Sequence, residues 1–169
     1  MIEVAISPEE GWSGPTDWQA LADRAVATAL RHSPYAELLD ADALVEVSVR
    51  FTDDDEVQGL NGSYRAKDRP TNVLSFPMVQ PDLLPGLANT DDGEILLGDI
   101  VLASGVCERE AAERGVPVET HATHLIVHGT LHLLGLDHLD EATGDAMEAV
   151  ERAALAAIGI DDPYAVEDD

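Results

Sequence analysis

The chain has 169 residues, of which 34 are Asp or Glu and nine are Lys or Arg, so its formal net charge is −25 at pH 7. This length favours a single domain, and a hydrophobic content of 45 % excludes wholesale disorder. The charge argues against general binding to nucleic acids, DNA among them, or to anionic membranes, because both work through broad basic surfaces.

The location of the protein is indicated by three features. No apolar run approaches the ~20 residues needed to span a bilayer. The first residues lack the basic and apolar regions of a signal peptide. A single cysteine, Cys107, rules out an internal disulfide and fits a reducing compartment. We therefore expect a cytoplasmic protein without a membrane partner.

The first half of the chain predicts two strand–helix units. Residues 2–6 alternate as a short strand would, and Thr16 or Asp17 can cap a helix that ends at Ser33. Residues 44–51 alternate and are rich in β-branched side chains, which predicts a half-buried strand. Thr52 with Asp55 resembles a capping box for the following helix.

The second half predicts a pair of strands followed by helices. Strands are expected at 71–76 and 95–102, with an exposed loop at 78–94 between them. A short helix should run from Ser104 to Gly115, a longer one from Pro117 to about residue 134 with Gly135 as its C-cap, and a last helix from Asp140. These elements predict an α+β layer fold in residues 1–160. A small mixed sheet would pack with helices around a central histidine-bearing helix, and residues 161–169 would form an acidic tail.

The predicted central helix carries a stripe of imidazoles. His121, His124, His128 and His132 fall within an arc of about 80° at ~100° per residue, and the opposite side is apolar. Burying several imidazoles together is costly unless each finds a partner, and a metal is the simplest one.

Three histidines of this region, two of them from the stripe, have the spacing of a metal site. His128 and His132 are one helical turn apart, and Gly135 lets the chain turn so that His138 returns to the same point. Three neutral imidazoles favour one zinc per chain and leave a fourth position for water, which is the catalytic pattern. The alternative is a set of core histidines bonded to backbone and carboxylates. His121 and His124 could line the cleft or be incidental.

The segment from His128 to His138, HGTLHLLGLDH, resembles the signature HGxLHLxGYDH of the YbeY endoribonuclease family. Residues 61–77, NGSYRAKDRPTNVLSFP, and residues 97–101, LGDIV, are similar to two further motifs of that family, in the same order. Leu136 stands where the family usually has Tyr, which removes no ligand.

The resemblance implies a zinc-dependent, single-strand-specific endoribonuclease that matures the 3′ end of small-subunit ribosomal RNA and takes part in ribosome quality control. By the same likeness His128, His132 and His138 are the zinc ligands, and Arg65 is the basic residue of the active cleft. The implied partners are ribosomal RNA, the small ribosomal subunit and an assembly GTPase.

Two other functions stay open on the residues alone. The histidine spacing also matches the metzincin proteases, but their catalytic Glu is replaced here by Gly129, which can carry no proton. A non-catalytic assembly factor would use the zinc to hold its fold and would need a fourth protein ligand, for which Asp137 or His124 is available.

Substrate-binding residues are predicted around the basic cluster Arg65, Lys67 and Arg69, since developing phosphate charge needs a cation and arginine offers a planar fork of donors. A solvated basic turn paired with acids such as Asp68 is the alternative. A nucleotide could also be contacted by further side chains, namely Asn72, Ser75, Phe76 and His124. Because a protein this acidic should bind free RNA weakly, we expect a partner to deliver the substrate.

Overall fold

The computed structural model describes residues 2–9, 12, 14–41, 43–65, 71–80, 83–84, 94–136 and 141–160, without the side chains of residues 64, 65 and 141. Its strands are β1 (Ile2–Pro8), β2 (Leu44–Thr52), β3 (Val73–Pro77) and β4 (Glu94–Ala103). Its helices are α1 (Trp18–His32), α2 (Asp54–Arg65), α3 (Ser104–Arg114), α4 (Val118–Leu133) and α5 (Glu141–Ala157), with a 3₁₀ turn at Ala36–Asp40. The predicted α+β class and the mixed sheet are confirmed.

The four strands form one sheet in the order β1-β2-β4-β3. β1, β2 and β4 are parallel, as expected for strands joined through helices, and β3 runs antiparallel to β4. The register of β2 against β4 shifts after Glu46, where Leu97 is the extra residue. A Cβ on the next residue, Gly98, would lie 2.6 Å from the Phe76 carbonyl oxygen, so only glycine lets β3 approach this closely.

The sheet carries helices on both faces, because alternate residues of β4 point to opposite sides. Ile100 and Leu102 belong to the main core, which also contains buried residues of α1, α4 and α5. Val101 belongs to a smaller cluster in which α2 contributes Val57. The histidine-bearing helix α4 therefore packs on the main-core face, while α2 covers the other face.

Helix ends explain why the elements begin and stop where they do. Asp17 caps α1 by accepting a hydrogen bond from the Ala20 amide at 3.0 Å, which confirms one of the two predicted caps.

The predicted cap of α2 was wrong: Thr52 is the last residue of β2. Asp53 caps the helix instead, accepting from the Glu56 amide at 2.9 Å. The Thr52 hydroxyl donates to the Glu56 carboxylate rather than to the helix backbone. At the end of α4 the C-cap is Leu134, and Gly135 follows it with a left-handed φ of 87°.

None of the described helices combines the length and the hydrophobicity needed to cross a membrane. The predicted helix cap Asp140 and the acidic tail 161–169 lie outside the described residues.

Candidate metal centre

The second half of helix α4 lies deep within the described part of the fold. Every residue from 121 to 134 is described, and all of them are buried except His128 and His132, which are partly exposed. This part of α4 is covered because it lies between the sheet and the helices α1, α3 and α5. The two openings to solvent on this stretch of helix therefore coincide with the two histidines spaced to chelate an ion.

The two imidazoles point their ligand atoms at one another. His132 Nε2 lies 2.9 Å from His128 Nε2, and the ring planes meet at 76° with centroids 4.5 Å apart. Two imidazole nitrogens bound to one tetrahedral zinc, each about 2.0–2.1 Å from it, are roughly 3.3 Å apart. The pair thus lies within a few tenths of an ångström of a chelating separation, and the donor set fits zinc.

The remaining predicted ligand and the basic cluster can be located only in part. His138, Lys67 and Arg69 lie outside the described residues, and Arg65 is the last residue of α2 with its side chain undescribed. Within the described ranges no group of three His, Cys, Asp or Glu side chains could hold a metal. The three-histidine site therefore stays a prediction, of which the structure brings two members together.

A buried carboxylate of α5 contacts the first histidine of the pair His128 and His132. Glu151 has no exposed surface, and its Oε1 lies 2.6 Å from His128 Nδ1. Its other oxygen, Oε2, lies 3.3 Å from His124 Nε2. Burial lowers the pKa of His124, although the contact with Glu151 opposes this. His124 is thus a buried neutral imidazole beside a carboxylate, and its predicted role in substrate binding stays a prediction.

A second contact between a histidine and a carboxylate lies two helical turns before His128 on α4. His121 Nε2 is 2.8 Å from Glu110 Oε1 on α3, and the same oxygen accepts a hydrogen bond from the Asn72 side-chain amide at 2.9 Å. The contact with His121 is the main reason that the pKa of Glu110 is lowered. Asn72, predicted as a nucleotide contact, has its amide in this cluster just before β3.

Ser75 packs against the backbone of α4 at Gly129. A Cβ built on Gly129, the neighbour of His128, would be 3.1 Å from Ser75 Oγ and 3.1 Å from Ile100 Cγ2. These distances are tighter than ordinary van der Waals contact. Gly129 therefore lets α4 pack closely on β3 and β4, and the glutamate that metzincin proteases carry at this position would crowd Ser75 and Ile100.

Two acidic partners of the α4 histidines were missed by reasoning from the sequence, namely Glu151 and Glu110. A signal for Glu151 was present, since it comes four residues after Met147 and three before Ala154, both fully buried. An acidic residue on the inward stripe of a helix predicts a buried partner, because an unpaired buried charge is costly.

The chain is similar over nearly its whole length to proteins described as endoribonucleases. The sequence model of the family described as "Endoribonuclease YbeY" matches residues 11–159. A Rhizorhabdus wittichii protein named "Endoribonuclease YbeY" is 64 % identical over 169 residues, covering 100 % of both chains. A protein of the same name from Sphingopyxis alaskensis is 58 % identical and covers 99 % of this chain and 100 % of its own.

The fold is also similar to a solved structure. The solution structure of TM1509 from Thermotoga maritima superposes with a TM-score of 0.52 at 22 % sequence identity. The match covers 94 % of this chain and 91 % of that chain, and at this identity it supports the fold alone.

Proposed function

The chain belongs to the YbeY endoribonuclease family, and from this premise we propose that it is a zinc-dependent, single-strand-specific endoribonuclease of ribosomal RNA maturation. The proposed substrate is the 3′ end of small-subunit ribosomal RNA, and ribosome quality control is a second setting for the same cleavage. The proposal also includes one bound zinc ion per chain and a cytoplasmic location of the protein.

The observation that carries the proposal is the partial exposure of two neighbouring histidines on α4. His128 and His132 are the two partly exposed residues of the otherwise buried stretch 121–134, and their Nε2 atoms are 2.9 Å apart. Imidazoles that only filled a core would be covered by their neighbours. A pair that converges at the surface suits an ion that must meet a substrate.

Each proposed site residue has its own task. His128, His132 and His138 hold the zinc, which when bound lowers the pKa of a water toward ~7 and acts as a Lewis acid toward a phosphoryl oxygen. Arg65 neutralises the charge that develops on the phosphate through paired N–H donors. Lys67 and Arg69 add local positive charge.

The nucleotide beside the scissile bond has candidate contacts of its own. Ser75 Oγ offers a hydroxyl next to Gly129, the residue that follows His128. Asn72 can position the start of β3 through Glu110. Of the three candidates whose side chains are described, Asn72, Ser75 and His124, the last is the least exposed, with 8 % of its surface accessible.

Peptide hydrolysis is disfavoured by the packing of α4. A metzincin needs a carboxylate beside its first histidine as general base. That position is Gly129, where even a Cβ would crowd Ile100 and Ser75. A protease on this scaffold would need its base from another element.

The charge of −25 shapes how the substrate would arrive. Long-range repulsion weakens the binding of free RNA, and local basic residues attract it only at short range. Delivery by the small ribosomal subunit or an assembly GTPase would raise the effective concentration of the RNA end at the site.

The proposal is tested by incubating the purified protein with a single-stranded RNA carrying a small-subunit 3′ end, with the matching duplex, and with casein. We expect cuts in the single strand that a chelator abolishes and added zinc restores. RNA cleavage that persists in the presence of the chelator would contradict the proposed dependence on zinc. Casein hydrolysis would favour a protease, and bound zinc with neither activity would favour an assembly factor.

A further inference from the structure

Glu151 is a fully buried carboxylate, and its place is unusual for an acidic residue. It projects from α5 into the space behind the histidines of α4, with 0 % of its surface exposed. Transfer of an ionised carboxylate out of water costs several kcal/mol unless close donors replace the lost hydration. Its contacts with His124 and His128 are therefore expected to be specific rather than incidental.

The contact with His128 determines which nitrogen of that ring can bind a metal. A carboxylate only accepts hydrogen bonds, so at 2.6 Å His128 Nδ1 is the donor and carries the proton. A neutral imidazole has one such proton, which leaves a lone pair on Nε2. That lone pair faces His132 Nε2, 2.9 Å away.

Glu151 is not placed to be a ligand of the same ion. It touches the Nδ1 edge of His128, whereas the converging atoms of the pair are Nε2. Its second oxygen faces His124 Nε2 at 3.3 Å. The carboxylate is thus held between two imidazoles, which fixes its position relative to the His128 ring.

We propose that Glu151 is the positioning residue of the metal centre, holding His128 in its Nδ1-protonated form with Nε2 aimed at the ion. The inference rests on the proposed function, since it gives the pair on α4 a zinc ion to bind. Carboxylate partners of metal-bound histidines fix the tautomer and orientation of the ring.

The test compares Glu151→Gln with Glu110→Gln. Each substitution removes one carboxylate beside an imidazole of α4, but Glu110 is partly exposed, and its partner His121 lies seven residues before His128. Competition with a chromophoric chelator should give Glu151→Gln a zinc affinity about 10- to 100-fold weaker than wild type. Glu110→Gln should keep the wild-type affinity. Equal affinities in wild type and Glu151→Gln, or equal losses in both variants, would overturn the proposal.

A second measurement stands even if Glu151→Gln fails to fold. Nitrogen-15 NMR of the zinc-free wild-type protein, at a pH where His128 is neutral, should find the proton on Nδ1. A folded Glu151→Gln should give a mixture of the two tautomers, while Glu110→Gln keeps the wild-type one. A proton on Nε2 of His128 in the wild type would overturn the role of Glu151. If the wild type binds no zinc, the proposed function fails; if it binds zinc and only Glu151 proves indifferent, the inference alone fails.

Discussion

Gly129 offers the sharpest stability test of how α4 sits on the sheet. Its missing side chain faces Ile100 and Ser75, and a Cβ there would meet their side chains at 3.1 Å. Ile100 is fully buried, so it has little freedom to move away. Gly59, on the exposed face of α2, is a matched control, because a Cβ there would have nothing within 4 Å.

The expected magnitudes follow from two opposing effects. Alanine is favoured over glycine inside a helix by about 1 kcal/mol. Overpacking a well-packed core costs about 1–3 kcal/mol. Gly59→Ala should therefore raise the free energy of unfolding by about 1 kcal/mol. Gly129→Ala should leave it unchanged or lower it by up to about 2 kcal/mol, since the two effects partly cancel.

Urea denaturation of both variants and the wild type, with excess chelator so that metal binding does not contribute, measures this difference. The two variants should differ by about 1–3 kcal/mol. If Gly129→Ala were as stabilising as Gly59→Ala, the close packing of α4 on the sheet would be wrong. Gly129→Glu, which adds a buried carboxyl in the same space, should be less stable still and show no casein hydrolysis.

Three further predictions concern single residues. Arg65→Ala should keep its zinc and its melting temperature but cleave RNA ~10²-fold or more slowly, and Arg65→Lys should recover part of the rate. Burial and nearby carboxylates raise the pKa of Cys107 to about 12, so the native thiol should resist thiol reagents at pH 8 and react only after unfolding. Burial lowers the pKa of His124 below 6.5, so the unfolded chain takes up this proton first as the pH falls. Below pH 6.5 the free energy of unfolding of the wild type should therefore fall faster than that of His124→Gln, by at most about 1.4 kcal/mol per pH unit.

Each of these has a clear contrary result. If Arg65→Ala cleaves RNA at the wild-type rate, the catalytic role assigned to Arg65 is wrong. Rapid labelling of native Cys107 would contradict its burial. Parallel pH profiles of the wild type and His124→Gln in urea denaturation would show that His124 titrates alike in folded and unfolded chains.

The order of the elements could be predicted from the sequence because the signals are local. The alternation in β2 and the cap at Asp17 depend on neighbours a few residues away. The cap of α2 was misplaced by one residue because Thr52 and Asp53 are both good caps in isolation. Only the length of β2, which includes Thr52, decides between them.

The candidate site was predictable where a helix alone brings residues together. One turn of α4 is enough to make His128 and His132 converge. The role of Glu151 was not predictable, because its contact with His128 exists only once α5 packs on α4, 23 residues later in the chain. From the sequence Gly129 indicated a missing base; its contact with Ile100 became visible only with the packing of α4 on the sheet.

The zinc-to-protein ratio of purified variants tests the central claim most directly. Wild type should hold about one zinc per chain, and His132→Gln should hold almost none, because the remaining ligands cannot retain the ion against dilution. His121→Gln alters a buried imidazole of the same helix outside the pair and should keep its zinc. Full occupancy in a folded His132→Gln would contradict the assignment of the metal to His128 and His132.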